Sequence, residues 1–212
     1  MKKTGSLIFT LCALLLSLAS RAQTFVPTKD EAALRKKITE ASQKLVTIQC
    51  DFTQEKNLSM LSEKAISKGR FYFKKESNVR LEYLAPSKNL IVMNSGKLLM
   101  KDDKKTTQMD MHRNRAFQQL NNIIVGSING NLFNGKDFSA RFYEADKQVK
   151  IELRPLSKTL KGFLSTIVIV LEKKDFTANR IEMNETSGDN TILSFNTKEI
   201  NGPVNDTLFL IK

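Results

Sequence analysis

The stretch Val46-Thr47-Ile48-Gln49-Cys50-Asp51-Phe52-Thr53 decides the fold of this chain, because apolar and polar residues alternate along it without a break. A period of two is typical of a β-strand with one buried face and one face in water. Similar alternation returns in much of the chain that follows. The sequence therefore predicts a mainly β protein built from antiparallel strands.

Further predicted strands are separated by turn residues. They lie at 69–74, 79–83, 89–93, 97–100, 106–111, 138–142, 149–153, 163–172, 180–185 and 191–199, with a last short segment at 207–211. About eleven antiparallel strands in one domain must curl. The sequence thus predicts a curved sheet or unclosed antiparallel β-barrel, and a two-sheet sandwich is the alternative.

Two helices are predicted beside these strands. The first follows a capping box at Thr28–Glu31 and carries Leu34 and Ile38 at helical spacing. The second interrupts the strands from residue 113 to about 129, and we expect it to cover the open face of the sheet as a lid. The predicted lid residues are Phe117, Leu120, Ile124 and Ile128.

The N-terminus predicts export. Two lysines precede an apolar run at 7–18, and Ser20-Arg21-Ala22 supplies the small residues of a cleavage site before Gln23. A retained anchor is the alternative, although the apolar run is too short to span a bilayer as a helix. We expect a signal peptide at 1–22 and a single periplasmic domain at 23–212.

Composition disfavours several classes of function. The 34 basic and 22 acidic residues give a net charge of +12, but the lysines are scattered and not interleaved with stacking aromatics, so no nucleic acid partner is expected. His112 is the only histidine, which excludes a multi-histidine metal site. Nucleophile-elbow and P-loop motifs are absent. We therefore predict no catalytic residue, no metal and no cofactor, and we expect Cys50 to be a buried hydrophobe.

Bulky apolar residues share strand faces with a cation. Phe71 and Phe73 lie on one face, and counting on by two places Lys75 on that face at the end of the strand. Such a series suits an amphiphile with its tail inside and its polar end at the rim, although an ordinary core with a snorkelling lysine is the alternative. The residues predicted to line a cavity are Phe52, Phe71, Phe73, Val79, Leu81 and Tyr83.

Four short motifs resemble, in order and spacing, those of the periplasmic outer-membrane lipoprotein carriers of the LolA type. They are Asp-Phe-Thr-Gln-Glu-Lys at 51–56, Gly-Arg-Phe-Tyr-Phe-Lys at 69–74, Arg-Leu-Glu-Tyr at 80–83 before Pro86, and Asn-Ser-Gly-Lys at 94–97. The resemblance implies an unclosed barrel whose hydrophobic cavity is lidded by helices. It also implies a carrier that accepts acylated lipoproteins from an inner-membrane ABC lipoprotein-releasing complex.

Delivery to the outer membrane, with or without an outer-membrane acceptor, completes the cycle that the resemblance implies. The protein is expected to be a monomer. The family's aromatic strand ends in an arginine and a proline that help to hold the lid shut. This chain has Lys75 and Glu76 there, so Lys75 is predicted as the rim or lid latch. Lysine keeps the charge of arginine but lacks its planar fork, and a weaker latch or one elsewhere in the chain is the alternative. A lipid- or lipoprotein-sensing module of the same fold and an enzyme acting on lipid or glycan are the alternatives.

Overall fold

The computed structural model describes the chain in five ranges, which are 24–61, 64–113, 123–128, 130–133 and 136–211. The predicted signal peptide at 1–22 and the predicted lid residues Phe117 and Leu120 lie outside these described residues.

A single antiparallel sheet contains every strand in the described ranges. Its strands, in chain order, are β1 Val26–Pro27, β2 Thr47–Asn57, β3 Lys64–Lys74, β4 Asn78–Ala85, β5 Asn89–Asn94, β6 Lys97–Lys101, β7 Thr106–Asp110, β8 Phe138–Glu144, β9 Gln148–Pro155, β10 Leu164–Glu172, β11 Ala178–Glu185 and β12 Asn190–Ile200. Their spatial order is β1-β8-β9-β10-β11-β12-β2-β3-β4-β5-β6-β7. The outermost strands, β1 and β7, leave the sheet unclosed, which confirms the predicted fold class.

Three α-helical segments within the described ranges accompany the sheet. Helix α1 is Glu31–Gln43, α2 includes residues 123–128, and α3 is the single turn Lys158–Lys161. The capping box predicted at Thr28 is wrong, because Asp30 is the N-cap and accepts a hydrogen bond from the Ala33 backbone N–H at 2.9 Å. Thr28 instead continues the pairing of β1, and its hydroxyl donates to the Glu144 carboxylate at 2.8 Å.

The inner face of the sheet forms the main core. Alternate residues of each strand point to this face, so apolar side chains meet across neighbouring strands. At the centre, Phe71 of β3 lies between Cys50 of β2 and Leu81 of β4. Leu34 and Ile38 of α1 are buried against this core, as their helical spacing predicted.

A close contact between Phe52 and Gly69 fixes the pairing of β2 with β3. The two residues are direct partners, and a Cβ added to Gly69 would lie 2.7 Å from the Phe52 ring and 2.2 Å from the Glu82 carbonyl oxygen. Phe52 also meets the Tyr83 ring edge to face, with centroids 5.1 Å apart. Only glycine leaves room for this ring, so the glycine of the strand is a packing requirement.

A smaller apolar cluster covers part of the outer face of the sheet. The C-terminal segment, residues 203–211, packs there through a 3₁₀ turn, Asp206–Phe209. Phe209 is buried against Tyr72, Val92 and Leu99. The Phe209 carbonyl accepts a hydrogen bond from the Asn94 side chain at 3.0 Å. Tyr72 therefore points away from the main core, as its strand position requires, yet it is buried.

Replacing Gly69 with alanine should lower the free energy of unfolding by about 3 kcal/mol, the upper end of the usual range for overpacking. The added methyl group would meet a backbone carbonyl and an immobile ring. Urea unfolding of the full chain measures this loss. Gly162→Ala is the matched control, because its φ of −69° suits alanine and its nearest contact is 3.3 Å. Equal losses for the two variants would contradict the packing argument.

Candidate functional site

An apolar cavity of about 50 Å³ lies between the inner face of the sheet, α2 and the end of α1. Its wall consists almost entirely of aliphatic and aromatic side chains. The lining residues are Leu45, Ile48, Cys50, Phe71, Leu81, Ile124, Ser127, Ile128, Phe176, Thr177, Ala178, Ile181, Leu193, Phe195 and Lys198. Binding pockets for small molecules are larger, at roughly 300–1,000 Å³. The cavity must therefore widen before it could hold a ligand of that size.

Helix α2 forms one wall of the cavity. Ile124 and Ile128, two of the predicted lid residues, line it from the helix side. The Ser127 hydroxyl is buried and donates to the Ile123 carbonyl at 2.6 Å, so its polarity is satisfied within the helix. The helix thus presents a largely apolar surface to the sheet, and nothing on this wall requires water.

The residues predicted to line the cavity are all packed in the main core, but only two lie on the cavity wall. These two are Phe71 and Leu81. Phe71 also meets the Phe195 ring edge to face, with centroids 5.6 Å apart. The other four are Phe52, Phe73, Val79 and Tyr83. The wall contributed by β11 and β12 was not predicted, because those strands lie far along the chain from the motifs at 51–97.

Lys75, the predicted rim or latch residue, directly follows β3, and its side chain contacts the end of α1. It does not line the cavity. Its side chain is exposed, and its amine donates to the Gln43 carbonyl at 3.3 Å. A cation at the C-terminal end of a helix interacts favourably with the helix dipole. Lys75 is therefore placed to hold the end of α1 to the sheet, and its role as a lid latch stays a prediction.

A different lysine, Lys198, lies on the wall. It sits in a β-bulge of β12, because Asn196 pairs with Asp51 and Glu199 pairs with Gln49, leaving two residues opposite Cys50. Thr197 has a φ of +51°, a conformation that costs a β-branched residue about 1–3 kcal/mol. The bulge turns the Thr197 side chain outward and the Lys198 side chain inward.

The Lys198 amine is held by neutral oxygen atoms. It donates to the Thr177 hydroxyl at 2.8 Å and to the Ala178 carbonyl at 3.2 Å. Thr177 in turn donates to the Asp175 carboxylate at 2.7 Å, so the carboxylate reaches the amine only through the hydroxyl. Burial lowers the pKa of Lys198, while the nearby charges of Asp175 and Glu172 act in the opposite direction.

Cys50 lies on the wall across from this bulge. Its thiol is buried, and burial raises the pKa of Cys50 from 9.0 to about 12 despite the opposing charge of Lys198. A thiol with that pKa is neutral at physiological pH and a poor nucleophile. The structure therefore agrees with the predicted role of Cys50 as a small buried hydrophobe.

An outer cleft of about 390 Å³ adjoins the cavity on the side of α1. Leu45 and Phe176 line both spaces, so these two side chains form the partition between them. Phe176 lies in the turn between β10 and β11 with a φ of +53°. The cleft also contains several charged side chains, which are Lys37, Glu40, Lys44, Lys174 and Asp175.

The described residues form neither a metal-binding cluster nor a helix that could span a membrane. No group of three or more His, Cys, Asp or Glu residues in those ranges is arranged to hold a metal ion. None of the helices in the described part of the chain combines the length and apolarity needed to cross a membrane.

Solved structures with similar folds share little sequence with this chain. MucB, also seen in the Pseudomonas aeruginosa MucA/MucB complex, has 12% identity and a TM-score of 0.54, with 87% of this chain and 64% of MucB covered. An uncharacterized conserved protein from Thermus thermophilus has 10% identity and a TM-score of 0.51, and the match covers 86% of this chain and 95% of that protein. The Mycobacterium tuberculosis lipoprotein LppX has 10% identity and a TM-score of 0.43, and the match covers 83% of this chain and 99% of LppX. At these identities the likeness concerns the fold alone.

A search of curated protein sequences gives no significant match. The family model described as outer membrane lipoprotein carrier protein LolA matches residues 43–212. That match begins at the end of α1 and includes strands β2 to β12, together with every described residue that lines the cavity. The chain therefore belongs to the LolA family of outer membrane lipoprotein carrier proteins.

Proposed function

We propose that this chain is a periplasmic carrier that binds the acyl chains of lipoproteins and moves them from the inner to the outer membrane. The observation that carries the proposal is the apolar cavity between the inner face of the sheet and α2. Export through the predicted signal peptide, cleaved before Gln23, would place the carrier between the two membranes. Its role would be binding and release without catalysis.

Loading requires the closed cavity to widen. An acyl chain needs far more than 50 Å³, so either α2 or the partition of Leu45 and Phe176 must move. The partition is suited to movement, because Leu45 and Phe176 line both the cavity and the outer cleft. The inner-membrane ABC lipoprotein-releasing complex is the proposed donor, and an outer-membrane acceptor is the proposed recipient.

The energetics favour a carrier that covers its own cavity. Burying the methylenes of an acyl chain contributes about 0.8 kcal/mol each, so a ~16-carbon chain approaches ~12 kcal/mol and near-nanomolar binding. A carrier that tight would release its cargo very slowly. Ile124 and Ile128 occupy part of the same apolar surface in the closed form. Displacing them offsets part of the binding free energy, which makes release possible.

Ala178→Phe tests the cavity directly. Ala178 lies on the wall, and a phenyl ring there should fill the space that the acyl chain needs. Spheroplasts that display a triacylated lipoprotein are incubated with the exported protein, and the lipoprotein in the soluble fraction is measured. We expect release to fall about tenfold or more, which corresponds to about 1.4 kcal/mol. Ala65→Phe, on an exposed position of β3, is the matched control and should release normally.

Two results of this assay would contradict the proposal. One is equal release of the triacylated lipoprotein with and without the carrier. The other is equal release by the two phenylalanine variants. Mass spectrometry of the carrier purified from envelopes adds an independent reading, because a co-purified free lipid without acylated protein would favour the sensing module.

Phe176→Ala tests the partition through the reactivity of Cys50. Because the pKa of Cys50 is about 12, only about 10⁻⁴ of the thiol is ionised at pH 8, and its alkylation should be slow until the cavity opens. Removing the phenyl ring should raise the rate of modification by N-ethylmaleimide about tenfold. Peptide mass spectrometry reads Cys50 separately from Cys12. Phe163→Ala, away from the cavity wall, is the control, and equal rates in both variants would refute this access route.

A further inference from the structure

We propose that Lys198 forms an anion-binding subsite at the end of the cavity, which selects acyl chains whose polar end carries an anionic oxygen. Carboxylate and phosphate ends share this chemistry. The inference rests on the proposed acyl-binding function and extends it, because it gives the cavity a class of ligand beyond the neutral ester and amide groups of a lipoprotein anchor.

The first support is the backbone that positions the lysine. Without the bulge, the alternation from Leu193 and Phe195 would turn Thr197 inward and Lys198 into solvent. The bulge reverses this order at the cavity, so that Lys198 points inward, and it places Thr197 at a positive φ. Bulges are often found next to functional sites, where they redirect a side chain. A charged residue brought into an apolar wall by strained backbone is expected to have a role there.

The second support is the hydrogen bonding of the amine. A lysine ammonium has three N–H donors, and the described residues accept from two of them through Thr177 and Ala178. Both acceptors are neutral, and the Asp175 carboxylate is engaged by the backbone N–H and hydroxyl of Thr177. Within the described ranges no carboxylate forms a direct ion pair with Lys198, so one N–H donor of the amine remains for a ligand.

The third support is the contrast with the other lysines nearby. Lys198 is the one charged side chain that the described residues place on the wall of the inner cavity. Lys37, Lys44 and Lys174 lie in the outer cleft, where Glu40 and Asp175 accompany them. Those lysines are accessible to water and therefore discriminate little between anionic and neutral ligands. An anionic group that follows its acyl chain past Phe176 would meet Lys198 in surroundings where a charge-assisted hydrogen bond is strong.

Three amphiphiles with the same sixteen-carbon chain test the subsite: hexadecanoate, hexadecyl phosphate and hexadecanol. Their affinities for the exported protein are measured at pH 7.5 by displacement of a fluorescent acyl probe. We expect at least one anionic ligand to bind about tenfold more tightly than hexadecanol. Preference for both anions indicates a general anionic acyl ligand, whereas preference for the phosphate alone indicates a phosphorylated lipid.

Lys198→Met assigns the preference to this residue. The variant should lose the preference for the anions and bind all three amphiphiles with affinities within about twofold of one another. Lys174→Met, at the outer cleft, is the matched control and should keep the preference. Lys198→Arg should keep much of it, because the charge remains.

The outcomes separate this inference from the proposed function. Equal binding of all three amphiphiles by the unmodified protein overturns the subsite and leaves acyl binding intact. No binding of any amphiphile refutes acyl binding and the subsite together. A preference that survives in Lys198→Met assigns the anion to another residue and overturns the inference. If Lys198→Met fails to fold, Lys198→Gln takes its place, because it removes the charge but keeps a polar side chain, and a preference that survives in it overturns the inference.

Discussion

A β-sheet that does not close cannot fill its own interior, and this constraint shapes the rest of the molecule. In a closed barrel, side chains from opposite strands meet across the axis. Here β1 and β7 remain apart, so the apolar inner face needs another partner. Helices α1 and α2 supply it. A cavity remains between this face and residues 123–128.

The same arrangement places one charge where an apolar wall would otherwise be complete. Keeping Lys198 half-buried is unfavourable, as the lowered pKa of its amine shows, and the bulge that directs it inward strains Thr197. Stability alone would favour a regular strand with Lys198 in water. The proposed function gives both costs a reason, since an amphiphile has a tail that needs the apolar wall and a polar end that needs a hydrogen-bond donor.

How far the sequence could predict this structure depended on how local each feature was. The inward position of Phe71 and Leu81 followed from the alternation, because a period of two ties each residue to one face of the sheet. Lys198 could not be found in this way, since its bulge shifts the alternation and no residue type near it marks the shift. Tyr72 points to the outer face, as the alternation requires, but its burial depends on Phe209, which lies more than a hundred residues away.

The C-terminal segment covers part of the outer face of the sheet and gives β4 to β6 a support that, in the described part of the chain, β11 and β12 lack. Strands β4 to β6 are packed on both faces, by the main core inside and by residues near Phe209 outside. Strands β11 and β12, which line the cavity, have mainly half-buried or exposed residues on their outer face. We therefore expect β4 to β6 to be stiffer than β11 and β12. Widening of the cavity would be taken up by β11, β12 and α2, while the motif-bearing strands keep their register.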